Sequence, residues 1–142
     1  MQNPAVIKAL LARDWHAAPG ASDEALAKLE SELPFAIPDE YRALLRVSDG
    51  GEGPLKTSPL RLCLYDVAFA REIWNDPFYR EQYPNYFFFG SNGSGDSIAI
   101  DVRSGQAGAI VTIDCIAGED SKEVIARDFL SFLNNVGAES VK

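Results

Sequence analysis

Apolar residues recur every three or four positions in three segments of the first third of the chain. This spacing predicts a first helix over 4–15, a second between Ser22 and Pro34, and a third that begins at Pro38. The run Asp-Gly-Gly at 49–51 ends the third helix, because glycine readily adopts the left-handed conformation found at helix ends. The chain therefore begins with a group of amphipathic helices.

Alternation of apolar and other residues replaces the helical spacing after residue 59. It predicts a half-buried strand over 60–65, with Leu60, Leu62 and Leu64 on one face. The run 87–89 is three phenylalanines, which predicts a central strand covered on both faces. Further strands are predicted over 97–102 and 109–115. The segment 52–59 is predicted to be a loop, and 75–85 an irregular excursion.

Two more helices complete the pattern. Asp66 is placed to cap a helix that extends to about Trp74. An apolar stripe predicts a closing helix over 121–135, with Gly137 as its C-terminal cap. Helices, then strands with one inserted helix, then a closing helix predict an α+β fold. We expect a single domain over 1–142, with a largely antiparallel sheet packed against N-terminal helices and a C-terminal helix.

The charge of the chain narrows the classes of partner. Its 142 residues include 21 acidic and 13 basic ones, for a net charge of −8. Nucleic acids and anionic membranes are bound by lysine and arginine, so this balance argues against both. It favours a basic protein partner instead. No secretory signal or membrane-spanning apolar run is visible, which predicts a cytoplasmic protein.

The glycine-rich segment 90–96 resembles a phosphate-binding loop in composition only. Such a loop needs a lysine, whereas here Asp96 follows the last glycine and would repel an anion. A calcium loop would need more carboxylates. The segment is therefore predicted to be a tight turn in which Gly93 and Gly95 adopt positive φ. His16 is the only histidine, and we predict no catalytic, cofactor or metal site.

Several other side chains have two interpretations each. Cys63 and Cys115 are expected to be small apolar residues in strands rather than a disulfide pair. The two tryptophans are expected in the core. Tyr79 and Tyr83 fit a core and an interface equally well, because tyrosine is enriched at protein interfaces.

Two segments carry a more specific pattern. They are Leu33-Pro34, Ile37-Pro38, Tyr41, Leu44-Leu45 and Asp49-Gly50-Gly51, followed by Phe88-Phe89-Gly90, Asn92-Gly93, Gly95-Asp96 and Asp101. Together they resemble the SUKH superfamily, which includes fungal cell-wall assembly regulators and many bacterial immunity proteins. Residues 124–133 are similar to the last helix of that family, so that the resemblance spans about 22–136. The chain departs from the signature in its second proline, which leaves Ile37-Pro38 in the motif position.

The resemblance implies a non-catalytic α+β protein-binding domain. Bacterial members typically bind and neutralise a cognate toxin, often a nuclease. The alternative within the family is a scaffold or regulatory interaction domain without a toxin target. An enzyme that uses a pair of carboxylates is a third hypothesis, and it needs a pocket that gathers two acids with separated pKa values.

Acidic residues in the predicted loops are the candidate contacts for a basic toxin domain. A nuclease presents a basic face to its substrate, and an acidic protein can occupy that face. The candidates flank the third helix, the glycine-rich turn and the acidic loop at 118–122; they are Asp49, Glu52, Asp96, Asp101, Glu119 and Asp120.

Overall fold

The computed structural model describes residues 14–136 of the chain. Residues 4–13 of the predicted first helix lie outside the described residues. The predicted cap at Gly137 also lies outside them. Trp15 and His16, at the expected end of that helix, are not helical. His16 instead pairs with Glu52: its N–H donates to the carbonyl of Glu52 at 2.8 Å, and the N–H of Glu52 donates back at 3.1 Å.

Five α-helices and six β-strands lie within residues 14–136. The helices are α1 (Asp23–Glu32), α2 (Asp39–Val47), α3 (Val67–Asn75), α4 (Pro77–Gln82) and α5 (Phe129–Leu133). The strands are β1 (Glu52–Pro54), β2 (Arg61–Leu64), β3 (Tyr86–Ser91), β4 (Ser97–Asp101), β5 (Ile110–Ile113) and β6 (Glu123–Ala126). A 3₁₀ turn, Glu119–Ser121, lies between β5 and β6.

The six strands form one antiparallel sheet in sequence order, so each strand pairs with the next along the chain. β3 and β4 occupy the centre, as the all-apolar run 87–89 predicted. The α+β fold class and the antiparallel sheet are thereby confirmed.

The sheet has two differently covered faces. On the first face, Phe87 and Phe89 pack with Tyr41 of α2, at centroid distances of 5.8 and 5.9 Å. Helices α1, α2, α3 and α5 all contribute buried residues to this first cluster. On the second face, Phe88 packs into a smaller cluster with Tyr83 and residues of β4 and β5. The strict alternation of side chains along a strand produces both clusters from one aromatic run.

Polar side chains cap the N-terminal ends of two helices at the predicted positions. The Ser22 hydroxyl accepts from Ala25 N at 3.1 Å, as predicted for α1. Asp66 caps α3 in the predicted way, accepting from Phe69 N at 2.7 Å. Side-chain caps satisfy N–H groups that have no partner inside the helix, and each typically contributes about 1 kcal/mol.

The closing segment differs from its prediction. Glu123–Ala126 is a strand rather than the start of a helix, and only Phe129–Leu133 is helical. Val124 pairs with Val111 across the β5–β6 ladder. Valine and isoleucine side chains suit a strand better than a helix, and here the free edge of β5 was available to them.

Two segments predicted to be irregular contain regular structure. Glu52–Pro54 is the edge strand β1, where a proline is tolerated because its missing N–H faces away from the ladder. Pro77–Gln82 is the short helix α4, which has proline at its start and the Asp76 carboxylate as its cap. Leu60 also departs from the predicted alternation, since it has φ of 76° and a 64% exposed side chain.

Candidate binding surfaces

A buried serine fixes the glycine pair that follows α2. The Ser48 hydroxyl accepts from Trp15 Nε1 at 3.2 Å and donates to the carbonyl of Gly50 at 2.6 Å. Gly50 and Gly51 have φ of 105° and 99°. A Cβ atom on Gly51 would lie 2.6 Å from the carbonyl oxygen of His16. Close backbone approach and left-handed geometry together explain why glycine stands here.

Asp49, the first predicted contact, is half-buried and takes part in the fold. Its Oδ1 accepts from the backbone N–H of Val67 at 2.7 Å. Val67 is the first residue of α3, so the carboxylate satisfies one of the N–H groups left free at a helix start. Asp49 thereby ties the loop after α2 to the start of α3.

Glu52 lies on the edge strand with its side chain about half exposed. It pairs with Arg61 at 3.3 Å, and the thiol of Cys63 donates to it at 3.5 Å. The hydrogen bond from Cys63 and the charge of Arg61 hold the pKa of Glu52 below its usual value. Burial, together with Glu52, raises the pKa of the Cys63 thiol. The thiol is thus kept protonated, which makes it a poor nucleophile.

Asp96 ends the glycine-rich turn between β3 and β4. The amide oxygen of Asn92 accepts from Ser94 N at 2.8 Å and from Asp96 N at 3.1 Å. These N–H groups are therefore engaged within the turn, whereas a phosphate loop would point them at its ligand. Gly93 has the predicted positive φ, 77°, but Gly95 does not. The segment is a closed structural turn with Asp96 at its base.

Asp101 and Glu119 meet through one arginine. Arg103 reaches Glu119 at 3.1 Å and Asp101 at 3.4 Å. The Tyr86 hydroxyl accepts from Arg103 at 2.6 Å and donates to Glu119 at 2.7 Å. The hydrogen bond from Tyr86, with that from Arg103, lowers the pKa of Glu119. Burial, with Glu119 beside it, raises the pKa of Tyr86 to about 12.

The fold separates the predicted contacts into groups. Ser97 and Asp101 mark opposite ends of β4, which are about 13 Å apart at the usual rise of a strand. Glu52 shares the Ser97 end with Asp96, because the ladder runs from Glu52 through Cys63 to Ser91 and Ser97. Asp101 and Glu119 form a second group, and the exposed Asp120 is next to it. No single patch contains all six acids.

The sequence did not decide whether Tyr79 and Tyr83 belong to the core or to an interface. Tyr83 is buried, while Tyr79 is half-buried and packs on Phe88 at 5.2 Å. The loop between β5 and β6 folds over this face, where the Tyr83 hydroxyl donates to the carbonyl of Cys115 at 3.2 Å. Cys63 lies in β2 as predicted, whereas Cys115 follows β5; both are half-buried and unbridged. Trp15 and Trp74 are in the core, as predicted.

None of the carboxyl pKa shifts found within residues 14–136 has the direction that a general acid needs. A general acid needs a raised pKa, but the shifted carboxyl pKa values are lowered; they belong to Glu32, Glu52, Glu119 and Asp128. A shallow cavity of about 260 Å³ contains Glu40 and Asp128 among its lining residues. There the backbone N–H of Ser131 stabilises the charged form of Asp128. In the same part of the chain, no group of three or more metal-ligating side chains could hold an ion.

A comparison of the sequence with protein families matches the part of the chain that contains both glycine segments. The model of the SMI1/KNR4 family (SUKH-1) matches residues 20–135. The chain belongs to the SMI1/KNR4 family. No curated protein matches it. The SUKH-1 match covers both motif segments: the first, residues 33–51, contains α2 and the glycine pair after it, and the second forms the central β3–β4 hairpin.

The SUKH resemblance inferred from those residues is thereby confirmed. Its last element needs the correction given above, since residues 124–126 form a strand. No helix described within residues 14–136 has both the length and the apolar character needed to cross a membrane.

Proposed function

We propose that this protein is a cytoplasmic immunity protein that binds a cognate toxin domain and blocks its active site without catalysis. Membership of the SMI1/KNR4 (SUKH-1) family carries the proposal, because the resemblance to SUKH proteins implies a non-catalytic binding domain whose bacterial members typically neutralise a toxin. The net charge of −8 supports it independently. An acidic protein attracts and can cover the basic face with which a nuclease holds its substrate.

The candidate contacts differ in how free they are to bind. Glu52 is half exposed and pairs with Arg61, whereas Asp120 is exposed and joins none of the ion pairs found among residues 14–136. Asp49 and Asp101 have structural hydrogen bonds. Substitution of Asp120 therefore tests binding with the least effect on the fold, and substitution of Asp49 tests mainly the fold.

The test begins with co-purification of the tagged protein from its native cells and identification of what accompanies it by mass spectrometry. We expect a basic toxin domain encoded beside this gene. The purified toxin should then lose its activity when titrated with one equivalent of this protein. A housekeeping assembly without toxic activity would contradict the immunity role and establish the scaffold alternative.

Lysine substitution refines the test once a toxin is in hand. Asp96→Lys and Asp120→Lys should slow association by about tenfold each at low salt and make the rate less dependent on salt. Stopped-flow measurements at several ionic strengths check this. Glu24→Lys, on the exposed start of α1, is the matched control. Unchanged association rates for both variants would remove these acids from the interface.

A further inference from the structure

Three strongly exposed apolar side chains each lie next to a residue that packs on the small cluster of the second face. Phe69 is 42% exposed, Phe78 is 50% exposed and Ile116 is fully exposed. The Phe69 ring stacks edge-on against Tyr65 at 4.6 Å, and Phe78 against Tyr79 at 5.3 Å. Tyr65 and Tyr79 both pack on the small cluster of this face. Exposed apolar side chains grouped in this way mark interaction sites more often than isolated ones do.

Ile116 belongs to the same region through the loop between β5 and β6. It directly follows Cys115, whose carbonyl accepts the hydrogen bond from Tyr83. Phe78 also stacks on Tyr83, at 6.2 Å. The buried ring of Tyr83 therefore joins the helix that carries Phe78 to the loop that carries Ile116.

Each of these apolar residues has an aspartate bound to its own backbone N–H. Asp66 accepts from Phe69 N at 2.7 Å, Asp76 from Phe78 N at 2.8 Å, and Asp114 from Ile116 N at 2.9 Å. None of the three aspartates takes part in an ion pair among residues 14–136. A carboxylate is thus held at the backbone of each of these three exposed apolar residues.

This pairing determines the chemistry of a suitable partner. Arginine and lysine have apolar stems that cover rings and aliphatic groups, and charged ends that bind carboxylates. Arginine also stacks on aromatic faces, and Arg80 of this chain already does so on Trp74, 3.5 Å from the ring centroid. Because backbone hydrogen bonds hold the carboxylates in position, little side-chain entropy is lost on binding.

We propose that the surface formed by Phe69, Phe78, Ile116 and their three aspartates docks a protein surface rich in arginine and lysine. For the identity of that partner the proposal rests on the proposed function, since a toxin's substrate-binding face has this chemistry. A second copy of the chain fits less well, because the two sets of aspartates would repel each other. We name these six residues the aspartate-anchored apolar surface.

The first experiment maps a defined probe by NMR. The ¹⁵N-labelled protein is titrated with a peptide of alternating arginine and leucine, and separately with one of alternating glutamate and leucine. We expect shifts from the basic peptide at the amides of residues 65–69, 78–83 and 114–117, and none from the acidic peptide. Shifts confined to other segments, such as α1 and residues 52–63, would overturn the proposal.

Matched triple variants test the same surface. The variant F69S/F78S/I116S removes its apolar groups, and A27S/L60S/L130S changes three other exposed apolar residues that lie outside this surface. Affinity for the basic peptide should fall at least about tenfold in the first variant and change less than about twofold in the second. Equal effects of the two triple variants would refute the assignment.

The carboxylates have their own variant, D66N/D76N/D114N. Asparagine retains the backbone cap but loses the charge, so we expect a folded protein whose affinity for the basic peptide is reduced at least about fivefold. Undiminished affinity would overturn the role of the aspartates. A dimer in light scattering that F69S/F78S/I116S dissociates would assign this surface to a second copy and overturn the proposal.

Failure of this proposal is distinguishable from failure of the proposed function. If F69S/F78S/I116S neutralises the cognate toxin as well as the unsubstituted protein does, the surface is wrong and the immunity role stands. If no toxin is found but the basic peptide binds this surface, the surface stands and the immunity role is wrong.

Discussion

The two faces of the sheet differ in how completely the chain covers them. On the first face four helices contribute buried residues, and Phe87 and Phe89 are fully buried. On the second face the cover is the short helix α4 and one loop, and Phe78 and Ile116 remain exposed at its margin. Both faces receive side chains from the same strand, β3.

Because of this difference, we expect the first face to contribute mainly to stability and the second face to be available for binding. Apolar area that is already buried stabilises the fold, whereas apolar area left exposed can be buried only by a partner. The buried rings of the first face are therefore not accessible to a partner, whereas the exposed Phe78 and Ile116 at the second face are. Substitutions on the first face should mainly lower the free energy of unfolding, and substitutions of the exposed residues at the second face should mainly weaken binding.

The largest expected effect distinguishes the faces directly. Phe89→Ala removes a fully buried ring and should lower the free energy of unfolding by about 3–5 kcal/mol. Phe78→Ala removes a half-exposed ring and should lower it by less than about 1 kcal/mol. Urea denaturation followed by circular dichroism measures both. Similar losses in the two variants would show that the second face is as important to the fold as the first.

The two glycine-containing turns should also differ in how much they contribute to stability. Gly51→Ala should cost about 2–3 kcal/mol, because its φ of 99° is strained for alanine and the new Cβ meets the His16 carbonyl. Gly95→Ala is the control, since a Cβ there meets nothing within 4 Å; it should change stability by less than about 1 kcal/mol. Thermal denaturation of the two proteins compares them. A stable Gly51→Ala protein would disprove the structural account of the glycine pair.

A smaller effect is expected where the loop over the second face is attached. Tyr86→Phe removes the hydroxyl between Arg103 and Glu119 and should cost about 1–2 kcal/mol near neutral pH. The pKa of Glu119 should rise towards the ordinary 4.5. NMR titration of the Glu119 side chain measures this, and the pKa of Glu52, on the opposite edge of the sheet, should stay unchanged.

The pH dependence of stability has a definite sign. A lowered carboxyl pKa contributes stability above the unfolded-state value, and that stability is lost as the pH falls through the folded-state pKa. The loss of stability on acidification should therefore be smaller in Tyr86→Phe than in the unsubstituted protein. An equal loss in the two proteins would mean that Tyr86 does not stabilise the charged form of Glu119.

Local sequence signals predicted an element correctly where the local preference and the tertiary packing favour the same structure. The caps at Ser22 and Asp66, and the run 87–89, each suit both their own segment and the final packing. At Val124 and Ile125 the signals are ambiguous, because these residues continue the apolar stripe of a helix and also suit a strand. Pairing with β5, which no local pattern reports, decided between the two.

The binding surfaces were less predictable for a related reason. Acidic residues can be counted along the chain, but Arg103 joins Asp101 to Glu119, which lies 16 positions after the arginine, and only the folded loop brings them together. Interpreting 75–85 as irregular also hid the exposure of Phe78. Asp-Pro at 76–77 was the available signal, since aspartate commonly caps a helix that begins with proline.

The order of the strands has a consequence for how the protein is made. Each strand pairs with its neighbour in the chain, so the sheet can be extended by one strand at a time as the polypeptide leaves the ribosome. Contacts close in sequence form with a small loss of loop entropy and speed folding. The central hairpin of β3 and β4 needs only residues up to about 101 for its own pairing. The pairing of β6 must wait until residue 126 has been synthesised, so this edge strand is the last of the six to join the sheet.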